Sequence, residues 1–171
     1  MERRAGRIHN RFLYASTMMS PITTFLETDH ADCDALFDQA EACVSRNAWE
    51  EAATALRSFE VALRRHFAME EEILFPAFEA ATGSTAGPTA VMRSEHAQLR
   101  NILDAAGDAV QSRDADAFFG AAETLQIMMG QHNMKEEGIL YPMADRALVA
   151  QADELVAAMQ ERAPSGIGVV A

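Results

Sequence analysis

His66-Phe-Ala-Met-Glu-Glu-Glu-Ile-Leu-Phe-Pro76 and His132-Asn-Met-Lys-Glu-Glu-Gly-Ile-Leu-Tyr-Pro142 lie over one another without a gap, 66 residues apart. Each begins with a histidine, carries a glutamate four residues on and ends in proline. The repeat also extends upstream. His30 precedes His66 by 36 residues, and His96 precedes His132 by 36. Four of the five histidines therefore belong to two copies of one pattern. A doubled pattern builds a two-fold-like site, and four imidazoles with two carboxylates suit a pair of metal ions.

The surrounding sequence reads as helix. Gly and Pro are sparse while Ala, Leu, Met and Glu are abundant, which favours helix over strand. Ser20-Pro21 has the form of an N-cap followed by proline, opening a helix to about Val44. Ser45-Arg46-Asn47 turns the chain. A second helix is expected over about Ala48 to Ala80, with Leu56, Phe59, Leu63, His66, Glu70, Ile73 and Ala77 at spacings of three or four. Thr82 to Pro88 is a loop, and a third helix runs from about Thr89 to Gln111. Arg113-Asp114 turns into a fourth, about Ala115 to Ala147. A shorter fifth runs from about Ala150 to Arg162. Pro76 and Pro142 should each kink or break their helix at the same point of the repeat.

Short loops between long helices predict an all-α, up-down-up-down four-helix bundle with a short additional C-terminal helix. Residues 20–162 are expected to form it, with 1–19 a flexible extension and 163–171 a loose tail. His30 stands about fifteen residues before the first turn and His66 about nineteen after it. At ~1.5 Å per residue these arms measure about 22 and 28 Å, so both side chains return to nearly one height. His96 and His132 do the same around the second turn. Glu70 and Glu136 follow their histidines by one helical turn on the same face.

A net charge of −12 argues against nucleic acid or an anionic membrane as partner. No apolar run approaches the ~20 residues of a membrane span. The basic N-terminus is interrupted by His9, Asn10 and Arg11 and is not read as a signal sequence. Cys33 and Cys43 are ten apart on one predicted helix, about 15 Å along its axis, too far for a disulfide. Both are read as reduced thiols and the chain as cytoplasmic.

Four His and two Glu give each of two ions a pair of histidines, with carboxylates available to bridge. Positions left open could bind a small diatomic or peroxide. Cys33, matched by Leu99 in the repeat, is read as core. The methionines are read as core filler and Trp49 as packing. Asp29 and Glu95, one residue before a histidine, are expected as surface charge, with hydrogen bonding to a ligand side chain the lesser alternative. Glu71 and Glu137 are expected on a solvated face rather than orienting ligands.

This arrangement of His, His-x-x-x-Glu, His and His-x-x-x-Glu resembles the hemerythrin-like, HHE cation-binding domains over about Pro21 to Ala147. The resemblance implies two non-haem iron ions. His30 and His66 would bind one, His96 and His132 the other, and Glu70 and Glu136 would bridge. Zinc is the alternative metal, since His and Glu do not exclude it. The chain departs from the oxygen-carrying hemerythrins, whose additional third-helix histidine falls here on Met92. It also has His132-x-x-x-Glu136 in place of their His-x-x-x-x-Asp. The site is therefore expected to be more symmetric and more open. Binding or sensing of dioxygen or a related small molecule is the leading expectation. Iron-centre repair, peroxide or nitric oxide reduction, and metal storage are the alternatives. The domain is expected to act alone or through a protein partner that the sequence does not identify.

Replacing Glu70 or Glu136 by Ala should lower metal content more than replacing Glu71 or Glu137. Equal content in all four variants, by elemental analysis, would overturn the assignment of the central pair.

Overall fold

A computed structural model describes residues 21–162. The expected extension, the Ser20 cap, His9 and the 163–171 tail lie outside the described residues. Every regular element among the described residues is helical: α1 (Pro21–Ser45), α2 (Trp49–Met69), α3 (Phe75–Thr82), α4 (Pro88–Ser112), α5 (Ala115–Lys135), α6 (Tyr141–Ala147) and α7 (Ala152–Gln160). The two long helices expected over 48–80 and 115–147 are each interrupted. A π-helical turn spans Glu70–Leu74 between α2 and α3, and another spans Glu136–Leu140 between α5 and α6.

The prolines explain the interruptions. Within an unbroken α-helix, Pro76 would lack its N–H and press its ring on the carbonyl four residues back. The wider turn instead closes through the Phe75 N–H to Glu70 O, and Pro76 enters the first turn of a new helix. Tyr141 N–H to Glu136 O and Pro142 repeat the arrangement. The break at matched positions that the two prolines predict takes this form.

The turns are closed by residues suited to them. Asn47 adopts φ 57° after α1, with Asn47 N–H donating to Val44 O and Ala48 N–H to Cys43 O. Gly83 adopts φ 70° at the end of α3. Asp114 caps α5 by accepting from Ala117 N–H at 2.9 Å.

The apolar core is divided in two. One part gathers Phe37, Phe59, Leu99, Phe118 and Leu125 from α1, α2, α4 and α5. The other gathers Ile22, Leu26, Phe75, Met92, Tyr141 and Met159 around the π turns, α3, α6 and α7. Cys33 and Cys43 are buried free thiols. Burial, with Asp29 and Asp34 nearby, pushes the Cys33 thiol up to about 12. Trp49 packs against the first part, as read. No helix is long and apolar enough to cross a membrane.

Phe59 is fully buried and its ring centroid lies 4.8 Å from that of Phe37. Phe59→Ala should cost about 3–5 kcal/mol, read as a lowered urea midpoint. Phe119→Ala, on the half-exposed neighbour of Phe118, should cost well under that.

Candidate metal centre

Between the two apolar regions lies one buried polar layer. His30, His66, Glu70, His96, His132 and Glu136 all meet there, and both glutamates are 0% exposed. His30 Nε2 is 3.0 Å from His66 Nε2, and His96 Nε2 is 3.1 Å from His132 Nε2. Glu136 Oε1 lies 3.2 Å from His132 Nε2, and its Oε2 lies 3.4 Å from His30 Nε2. Glu70 Oε2 lies 3.2 Å from His96 Nε2 and 3.4 Å from His66 Nε2. All six side chains picked out by spacing are thus brought together.

The outer nitrogens of the four imidazoles are each held by a carboxylate from another helix. Asp29 on α1 meets His66 Nδ1 at 2.9 Å. Glu71, beside α2, meets His96 Nδ1 at 2.7 Å. Glu95 on α4 meets His132 Nδ1 at 3.0 Å. Glu137, beside α5, meets His30 Nδ1 at 2.8 Å. Each element lends its carboxylate to the next, and the fourth returns to the first. The bonds form a closed ring around the bundle.

This corrects two expectations. Asp29 and Glu95 are not surface charges, and Glu71 and Glu137 do not merely face solvent. A residue beside a ligand does point away from that ligand. In a bundle, however, the flank it points along faces the neighbouring helix. Three of the four carboxylates are further clamped by cations: Asp29 by Arg65 at 3.0 Å, Glu71 by Arg100 at 2.9 Å, and Glu95 by Lys135.

The ring decides the imidazole tautomer. A carboxylate at Nδ1 favours the proton there and turns the Nε2 lone pair inward, as a metal ligand requires. Without a cation, lone pairs would then face one another. Glu70 Oε2 and Glu136 Oε1 are also buried with no hydrogen-bond partner. Leaving carboxylates so is costly by several kcal/mol each. Protons meet part of the demand: burial opposes charge on His30 and His96, but the surrounding glutamates overcome it and raise them to about 9 and about 10. Glu136 is held well below the carboxylate range, its burial outweighed by the closeness of His132, His30 and His96. Burial also opposes the Glu71 carboxylate, yet His96 and Arg100 lower it to about 2.

Metal cations satisfy the same atoms. The paired Nε2 atoms, 3.0 Å apart in one pair and 3.1 Å in the other, are close enough together for one cation to take both. The donor atoms form two groups, Glu70 with His96, His132 and Glu136, and His30 with His66 and Glu136.

Tyr141 completes the layer and was not singled out by spacing. Its hydroxyl donates to Glu70 Oε1 at 2.8 Å and lies 3.1 Å from Glu136 Oε2 and 3.2 Å from His30 Nε2. Burial, reinforced by Glu70 and Glu136, keeps it protonated. The signal available in the sequence was its mismatch with Phe75 at the same place in the repeat.

The family model described as Hemerythrin HHE cation binding domain matches residues 22–144. The chain belongs to the hemerythrin HHE cation-binding domain family. Neither the curated proteins nor the solved structures hold a match to it.

Asp29→Asn and Glu95→Gln should each weaken metal binding about 10–100-fold while leaving all six central side chains in place. Competition with a chelator of known affinity measures this.

Proposed function

We propose that this chain holds two non-haem iron ions in the polar layer and binds or senses dioxygen or a related small molecule there. The observation that carries the reading is the unsatisfied pair Glu70 Oε2 and Glu136 Oε1, buried among four inward-facing imidazole nitrogens. His30 and His66 would hold one ion, His96 and His132 the other, with Glu70 and Glu136 between them. An iron pair supplies electrons in single steps and coordination positions that the protein leaves open. The carboxylate ring keeps the imidazoles oriented, and the apolar regions on either side exclude bulk water. Tyr141 offers a hydroxyl proton inside the layer.

The reading includes an up-down-up-down course for the four long segments, supported by the short turns at Asn47 and Arg113. It also includes a cytoplasmic setting, supported by the free thiols Cys33 and Cys43. Acidic net charge speaks against nucleic acid or an anionic membrane as partner.

Iron and zinc content per chain after anaerobic purification, with optical spectra before and after air, tests the proposal. Two irons and a near-ultraviolet band that reverses on deoxygenation are expected. Zinc alone, or no metal, would overturn it. Iron that passes to an acceptor without an optical response would point to iron handling. Loading metal-free protein at pH 7 should also release protons, measurable by pH-stat. His30 and His96 carry them below about 9 and about 10, and a bound cation excludes them.

A further inference from the structure

The repeat also pairs residues outside the six central side chains. Thr89 on α4 donates its hydroxyl to Glu79 on α3 at 2.6 Å. Arg93, one turn further along α4, clamps the same carboxylate, and its guanidinium lies over the Phe75 ring, 5.2 Å from the centroid. Hydroxyl, carboxylate and guanidinium complete one another. The residues 66 positions away are Thr23, Asp145 and Glu27. Thr23 on α1 keeps the first bond, donating to Asp145 on α6. The guanidinium is not kept: Glu27 stands where Arg93 stands in the other half.

That exchange coincides with a cavity and with unmet polar atoms. The cavity, about 570 Å³, opens between α1 and α6 and is lined by Thr24, Glu27, Pro142, Asp145 and Val149 among others. Asp145 Oδ1 and Thr24 Oγ1 are buried with no hydrogen-bond partner among the described residues. An orphaned buried oxygen is costly, and a second acid on the same cavity adds repulsion. Arg93 meets the equivalent demand of Glu79. Arg146, exposed and also lining the cavity, pairs with neither carboxylate among the described residues. The remaining wall is apolar, formed by Pro142 and by Val149, which is 77% exposed.

We infer that this cavity binds an alkylguanidinium, a guanidinium on an aliphatic stem, whose N–H groups donate to Asp145 and Glu27 in the place that Arg93 fills in the other half. A planar fork of donors serves two acceptors at once, which a point cation does not. The cavity is larger than one guanidinium, and an aliphatic stem running past Pro142 and Val149 takes the remaining room. Two sources carry this group: a free ligand, and the arginines that precede Pro21 in the sequence, Arg3, Arg4, Arg7 and Arg11. None of the six central side chains takes part, so the inference stands apart from the two-metal reading.

The test titrates full-length protein with butylguanidinium by calorimetry, beside tetramethylammonium and magnesium. Wild type should bind one butylguanidinium per chain, about tenfold or more tighter than either control. Glu27→Gln should weaken that binding about tenfold, and Glu27→Arg, which copies Arg93 into the cavity, should abolish it with metal content unchanged. Glu51→Gln, on an exposed acid elsewhere, and Arg146→Gln should leave it intact, which separates a built site from the pull of an acidic chain on any cation. Binding that emerges only when Arg3, Arg4, Arg7 and Arg11 are together replaced by Gln, and that Glu27→Gln again weakens, would assign the guanidinium to the chain's own arginines. Absence of binding in both proteins would overturn the inference. Equal weakening by Glu27→Gln and Glu51→Gln, loss in Arg146→Gln, or magnesium bound in butylguanidinium's place would do the same.

Discussion

Two carboxylates, Glu70 and Glu136, stand wholly out of water at the middle of the bundle, and the rest of the structure is arranged around them. Burial alone would protonate or expel such groups. They stay because imidazoles surround them and can carry protons or share metal cations. The imidazoles in turn are held by Asp29, Glu71, Glu95 and Glu137. A polar layer of this kind survives only if nearly every atom in it is satisfied. The atoms left unsatisfied are those that a cation would meet.

That requirement shapes the fold. The layer splits the apolar core in two, so each half must pack well enough to hold the bundle without continuous hydrophobic contact. It also gives the π turns a purpose beyond accommodating proline. Glu70 opens one such turn and faces the centre, and the next residue, Glu71, reaches across to His96 on α4. Adjacent glutamates on one backbone segment thus serve two shells of one site. The same division occurs at Glu136 and Glu137.

The internal repeat accounts for the approximate two-fold symmetry, and the departures from it gather near His30. Its carboxylate partner, Glu137, is the one in the ring without a cation clamp among the described residues, and its side chain is 37% exposed. Asp34 stands where Arg100 stands in the other half. A partly exposed carboxylate partner, a neighbouring hydroxyl and a nearby cavity lie on this side. On the other side Phe67 and Phe75 pack against His96.

Much of this was legible in the chain. Helical periodicity, short turns and the doubled His–His-x-x-x-Glu spacing pointed to helices and to the six central residues, because ligand spacing and helix pitch are local, periodic quantities. The prolines marked where the long helices change register. Tertiary structure alone decided what the flanking acids do. Asp29 and Glu95 point away from their own histidines, and only the position of the next helix turns that direction into a bond with another. It also decided the role of Tyr141. One hydroxyl's difference from Phe75 acquires meaning only when Glu70, Glu136 and His30, distant in sequence, converge on it.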